Sequence, residues 1–362
     1  MIESVPPRSK APAPAAAKKR AVGGGFARYL VVRFLLMIPT VFILVTLVFL
    51  LMRTTGDPLT AALGGRLPAD QLAERIHAAG YDRPLIVQYI EYIGQVFTGN
   101  FGRTLSDNQL VTDVLFRYGP ATLELAIYAL IVAFIVGIPL GMLAAYLRDR
   151  WPDAVLRVFA ILFYATPVFF AGLVLKLIFA VGLHWLPASG RAGARNEVAL
   201  NRVEGKTGIH LIDAIRLGDG AIIGDVLAHA VLPAIALGLL TAGIFLRLVR
   251  TNVIGTLGQP YVDAARSRGV SEFRLVRHHA YKPALIPIIT VIGLQIALLL
   301  GGAVLTETTF EWKGLGFQLV QYLLARDFVA VQGIVALLAV IVAVTNFIVD
   351  IIAAIIDPRV RY

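Results

Sequence analysis

The sequence predicts an all-α integral membrane protein of about six transmembrane helices, with one polar loop that is itself helical. Three observations carry that prediction. Of the 362 residues, 58% are hydrophobic and only 15% are charged, and the mean hydropathy is +0.77. Soluble domains carry roughly 25% charged residues, so a soluble chain of this length would lack the polar surface that keeps it dispersed. The apolar residues gather into long runs, each close to the roughly 20 residues that cross the hydrocarbon layer as a helix. Lys and Arg are densest in alternate connecting segments.

The elements follow in order. Residues 1–28 are rich in Pro, Ala, Lys and Arg and read as a disordered basic tail. A cleaved signal peptide is not expected, because the next apolar run is too long and lacks a small-residue cleavage site. The six-helix domain then occupies 29–362. Its first span is 34–52, bracketed by Arg33 and Arg53, and the others are about 122–146, 158–183, 226–246, 285–306 and 328–356. Pro39, Pro139 and Pro167 fall inside these runs, where membrane helices tolerate proline. Gly137 and Gly141 form a small-xxx-small pair that permits close helix approach.

The positive-inside rule orients the chain. The tail, the loop 148–157, the loop 247–282 and the C-terminus form the Lys/Arg-dense side. The longer segments, about 54–118, 184–225 and 307–327, hold most of the carboxylates and read as extracytoplasmic. Both termini are therefore expected in the cytoplasm of a multi-pass protein of the cell (inner) membrane. In a soluble protein a net charge of +10 would suggest a nucleic-acid partner; here it is charge facing the membrane and the cytoplasm, and no nucleic acid is expected. In the first outer segment, Pro84 followed by Ile86, Ile90, Ile93 and Phe97 has helical spacing with one apolar face, suited to the membrane surface or to the bundle.

The loop at about 250–283 is too polar to span and too patterned to be slack. Pro260 opens a helix, Asp263 complements the dipole of its first turn, Ala264 and Ala265 leave a flat face, and Gly269 ends it in a left-handed turn. Ser271 and Glu272 restart a helix that runs into the fifth span. This resembles the EAA loop of binding-protein-dependent ABC importer permeases. Asp263 stands for the Glu, Ala264, Ala265 and Gly269 match, and Ile286-Pro287 closes the motif. The resemblance extends over about 28–362. It includes Gly56-Asp57-Pro58, Tyr81-Asp82-Arg83-Pro84, Leu186-Pro187-Ala188-Ser189-Gly190, Leu232-Pro233, Gly314-Leu315-Gly316 and Asp357-Pro358-Arg359, all typical of the dipeptide, oligopeptide and nickel permease group. The chain departs from the pattern at Asp263, which is shorter than Glu, and at Lys313, where many relatives have Pro. The resemblance implies a coupling helix that docks on an ATP-binding subunit through Asp263, Ala264, Ala265, Gly269, Ile286 and Pro287. It also implies a second homologous permease, two ATP-binding subunits holding ATP and Mg, and an extracytoplasmic substrate-binding protein. The substrate would be a dipeptide or oligopeptide, or else a nickel chelate or glycoside.

Other chemistry finds no support in the sequence. The absence of cysteine excludes disulfides and thiolate chemistry. Gly205-Lys206-Thr207 lacks the glycine five positions earlier that a phosphate loop needs, since that residue is Leu200. No catalytic set and no metal cluster is visible, and adjacent His278 and His279 on a helix point about 100° apart. This chain is therefore expected to be no enzyme and to bind no cofactor itself. Three ionisable residues fall in spans. Glu124 lies near the outer end and can reach the interface; Lys176 can snorkel; Asp350 suits a structural pair, a cap or a switching role. An ion-coupled secondary transporter would need ionisable residues clustered at mid-membrane, and none is evident.

Overall fold

The structure is a computed structural model that describes residues 22–356 apart from 55 and 66. The side chains of Ile286 and Pro287 lie outside the described set, as do the residues of the closing Asp357-Pro358-Arg359 string. Among the described residues every regular element is a helix, with one isolated bridge between Arg103 and Leu110. Helices α1 (Val22–Arg53), α2 (Pro58–Leu63), α3 (Ala69–Ala78), α4 (Leu85–Phe97) and α5 (Val111–Tyr146) come first. Next are α6 (Trp151–Ala165), α7 (Val168–Leu175) with a π-helical continuation over Lys176–Gly182, α8 (Ala194–Asn201), α9 (His210–Leu217) and α10 (Gly220–Leu257). Then come α11 (Pro260–Ser267), α12 (Glu272–Arg274) with a π-helical stretch over Leu275–Ala280, α13 (Tyr281–Phe310), α14 (Leu315–Leu324) and α15 (Phe328–Ile356).

By length and composition, α1, α5, α10 and α15 can each cross a membrane, and α6 with α7 makes a fifth crossing if that bent pair is one span. Two helices greatly exceed the runs from which they were read. At 36 and 38 residues, α5 and α10 are about 54 and 57 Å long against a hydrocarbon layer of roughly 30 Å. Hydropathy marks only part of each, 122–146 at the C-terminal end of α5 and 226–246 inside α10. Helix α1 likewise begins at Val22, inside the stretch read as a tail; residues 1–21 lie outside the described set.

The third run is corrected. It reads as one span over 158–183, yet the chain breaks between α6 and α7 with a bend of 105°. Thr166 is extended (ψ 124°), and its hydroxyl turns back to the Leu162 carbonyl at 2.6 Å. Pro167 brings no N–H and disfavours a helical residue before it, so α6 stops there. Pro39 and Pro139 sit inside continuous helices.

Helices α5 and α10 form the central pair and run parallel. A Cβ at Gly137 would lie 2.7 Å from the Ala242 carbonyl oxygen, and one at Gly141 would lie 2.7 Å from Val249 Cβ. The small-xxx-small pair thus lets two backbones touch, which matters in lipid, where apolar packing rather than water exclusion joins helices. Helices α1 and α15 pack antiparallel, with Arg33 against Asp350 at 3.2 Å and Phe34 edge-on to Phe347. The start of α1, the end of α15 and α11 share one end of the bundle.

Helix α4 forms where the Pro84 pattern places it and packs on α1 through Tyr89, which meets Phe42, Phe49 and the Thr46 hydroxyl. Of the stripe read as suited to the membrane surface or to the bundle, Ile86, Ile90 and Phe97 are exposed and Ile93 is half-buried, which fits the membrane surface.

Candidate functional site

At the end that carries α11, the chain presents a short helix on a rigid seat. Val262 and Ala265 point inward and join Val253, Leu257, Leu275, Val276 and Ala280 in one apolar cluster. Asp263 is 61% exposed, and Tyr261 and Ala264 are exposed beside it. Of the residues read as a docking face, Asp263 and Ala264 look outward, while Ala265 is turned into the chain's own core. The spacing explains this, because positions 262 and 265 share one helix face and 261, 263 and 264 fall away from it. Gly269 has φ +80°, which only glycine adopts at little cost, and its N–H bonds to the Arg266 carbonyl at 3.0 Å. Arg266 bridges the bend, pairing with Asp263 at 2.5 Å and Glu272 at 2.7 Å, and these carboxylates hold its guanidinium above its usual pKa. Ile286 and Pro287 lie in the early turns of α13.

A clamp fixes α6 to α10 a little above this seat. The Asp153 carboxylate, fully buried, receives Arg250 Nε at 2.6 Å and Nη2 at 2.7 Å. Such bidentate geometry is the strong form of the pair. The Asp149 N–H adds a bond at 3.3 Å, so the loop before α6 is held as well.

At the far end of α5 and α10 lies a buried polar network. Glu124 is 2% exposed and does not reach the interface as its position near the end of a span suggests. It accepts from Arg191 Nη2 at 2.5 Å, the Tyr128 hydroxyl at 2.9 Å and the N–H groups of His210 and Leu211 at 3.2 and 2.9 Å. Those N–H groups begin α9, where a carboxylate is favoured by unpaired donors and dipole alike. The Arg191 guanidinium lies over the Trp312 ring at 5.4 Å, and Trp312 donates to the Ala121 carbonyl at 2.8 Å. Glu307, also buried, accepts from the Thr122 hydroxyl at 2.6 Å and the Phe317 N–H at 2.9 Å, while Leu315 N–H donates to Thr122 at 2.8 Å. A Cβ at Gly314 would collide with the Glu307 carboxylate, so glycine there lets the loop before α14 close over Glu307 where the carboxylate stands.

The remaining span residues have partners. Lys176 donates to the Thr309 carbonyl at 3.2 Å instead of only snorkelling, and Asp350 pairs with Arg33. Among the described residues, no group of His, Asp and Glu is arranged to hold a metal ion.

Residues 137–362 match the family described as the binding-protein-dependent transport system inner membrane component, and residues 26–126 match the N-terminal region described for such membrane components. The chain belongs to this family. It is thus an ABC importer permease. Over 329 residues it is 38% identical to the di/tripeptide transport system permease protein DppB of Pseudomonas aeruginosa, covering 90% of this chain and 96% of that one. The dipeptide permease DppB of Escherichia coli K12 is 36% identical, covering 92% and 99%. The glutathione permease GsiC of Salmonella choleraesuis is 33% identical, covering 92% and 99%. The fold is similar to that of the MetNI methionine ABC transporter, with a TM-score of 0.52 at 16% identity over 68% of this chain and 97% of that one.

Several strings that mark the permease are structural punctuation. Asp57 caps α2 by accepting the Thr60 N–H at 2.7 Å. Tyr81 lies under the Arg53 guanidinium at 4.7 Å, and Gln88 ties down the carbonyls of Tyr81 and Arg83. Gly190, which closes the Leu186–Gly190 string and precedes Arg191, is fixed by its N–H to the Phe310 carbonyl at 2.9 Å. Sequence reasoning did not find Arg191, Thr122, Glu307 or the Asp153–Arg250 clamp. The signals were present: Arg191 follows a rigid loop string, and Glu307 closes a helix just before Gly314.

Proposed function

We propose that this permease forms half of the translocation path of a peptide importer and is driven by ATP hydrolysis in separate subunits. The observation that carries the substrate class is the similarity to di/tripeptide and dipeptide permeases along nine-tenths of the chain. In this reading α1, α5, the α6–α7 pair, α10, α13 and α15 are six spans, and both termini are cytoplasmic. The shared end of α1, α11 and α15 is rich in arginine, which supports that orientation. A second, homologous permease completes the path, two ATP-binding subunits hold ATP and Mg, and an extracytoplasmic binding protein delivers the peptide.

Helix α11 is the coupling element. Tyr261, Asp263 and Ala264 face the ATP-binding subunit, and the apolar seat under Val262 and Ala265 carries its displacement into α10 and α13. A rigid helix on a packed seat transmits a push that a slack loop would absorb. The deciding experiment reconstitutes the permease with its partners in proteoliposomes and follows labelled dialanine. ATP-dependent uptake that requires the binding protein is expected, and failure to take up dialanine would overturn the peptide reading. A cysteine at Ser267 is expected to resist an impermeant thiol reagent on intact cells; ready labelling would reverse the orientation.

A further inference from the structure

A cavity of about 560 Å³ lies between the first turns of α5 and the α8–α9 segment, in the size range of small-molecule sites. Its walls carry the cations Arg117, Arg191, Lys206 and Lys313 and the carboxylates Glu197 and Asp213. Arg191 is committed to Glu124, and Asp213 to the N–H groups of Thr207 and Gly208 and the Thr207 hydroxyl. The others are poorly satisfied. Arg117 reaches Gln109 only at 3.4 Å, Lys206 donates to neutral Asn201, and Lys313 makes no ion pair among the described residues. Glu197 meets only His210 Nδ1, at 3.8 Å, beyond hydrogen-bond range. Burial, with Arg191 alongside, pushes the His210 ring down to about 3, so it adds no charge near neutral pH. Tyr118 and Leu200 supply apolar wall between the charges.

We propose that this cavity is a binding site for a short free peptide held by both ends, its terminal carboxylate on Arg117 and Lys313 and its terminal ammonium on Glu197. The proposal rests on the peptide reading above and adds to it a site within this single chain. Arg and Lys together suit a carboxylate, by fork and by point charge. Lys313, the departure from the family pattern, then has a task that Pro could not perform.

The test measures equilibrium binding of labelled dialanine to the purified membrane complex in lipid nanodiscs, without the binding protein. Dialanine amide and N-acetyl-dialanine should each bind at least about tenfold more weakly, the loss expected for one charge-assisted contact. Lys313→Ala should weaken dialanine by a similar factor and leave the amide nearly unchanged. Glu197→Gln should do the same with respect to the acetylated form. Both side chains are at least partly exposed, so unchanged melting temperatures are expected to show that both variants fold. Equal binding of blocked and free peptides, or variants that bind like the parent, would overturn the site. So would variants that spare dialanine binding but weaken capture of the binding protein, since the cavity would then be a docking surface. If the complete complex imports dialanine but the nanodiscs bind none, the site fails and the peptide reading stands. If the complete complex imports no dialanine, both fall.

Discussion

The two ends of the bundle use the same side-chain chemistry in opposite ways. Around α11 the charges lie outside, with Asp263, Arg266 and Glu272 paired in solvent while the apolar residues hold the helix from beneath. Around Glu124 the charges lie inside, with every carboxylate oxygen taken and the surface left to loops. A buried ionic network is expensive to break, so it fixes shape; an exposed one is screened and contributes little to stability. The buried network is thus suited to holding shape, and the exposed face of α11 to meeting a partner.

The largest effect should come from breaking the buried end. Glu124→Ala leaves Arg191 charged, buried and unpaired and frees the first N–H groups of α9, a loss of about 3–5 kcal/mol. The complex should melt far lower or fail to assemble. Replacing both partners, as Glu124→Leu with Arg191→Met, should recover much of that loss, because the uncompensated charge is gone. A melting temperature unchanged by Glu124→Ala would dissolve the contrast between the two ends.

Gly269→Val should be next, with a different signature. A β-branched residue at φ +80° is strained by about 1–3 kcal/mol, and open space surrounds the position, so backbone conformation is the whole cost. Insertion and global melting should change little, while dialanine-stimulated ATP hydrolysis should fall by about tenfold or more as the bend that aims α11 is lost. Ala265→Asp should resemble the Glu124 variant more closely, because its charge enters the chain's own cluster. If Ala265→Asp melts normally yet uncouples, Ala265 faces the partner after all.

These contrasts show what was legible in the sequence. The α11 element was readable because it is local: Pro260, Asp263 and Gly269 act within one or two turns, and their chemistry survives in a linear string. The apolar parts of α5 and α10 were readable from hydropathy. Their polar extensions were not, because Pro120 and Arg250 look like loop residues until Gly208 and Asp153, far along the chain, are known to meet them. The Glu124 network joins positions 122, 124, 191, 210, 307 and 312, and no local pattern connects them. The break at Pro167 was invisible for a related reason, since Pro39 and Pro139 occur in equally apolar runs and do not break their helices.

A pH measurement sharpens the comparison further. Folding holds His210 down to about 3, chiefly by burial, against 6.5 when free. Between those values the unfolded chain binds more protons than the folded one, so stability should fall as pH drops from about 6.5 toward 3. The groups facing the ring are Arg191, Lys206, Asp213 and Glu197. Because carboxylates also titrate at the low end, the readout is the difference from His210→Asn, whose melting temperature should decline less between pH 6.5 and 5. Parallel curves would mean that the ring is already charged in the fold.

The smallest effect is expected for Arg266→Ala, and it tests the exposed end directly. Arg266 bonds to Glu272 across the Gly269 bend and to Asp263 within α11, yet all three side chains are open to solvent. Water and salt screen such pairs, so melting should match the parent at low and high ionic strength. The bend itself is set by the positive φ of Gly269 and by the bond from the Val270 N–H to the Ala265 carbonyl at 3.3 Å, which the variant keeps. Coupling should therefore drop by no more than about twofold, the scale of a weak surface contact. Asp263→Glu, which restores the family residue, should retain the pair and couple like the parent. A collapse of coupling in Arg266→Ala equal to that of Gly269→Val, without any change in melting, would mean that the guanidinium itself meets the ATP-binding subunit. The contact face of α11 would then extend from Tyr261 and Ala264 around to its basic side.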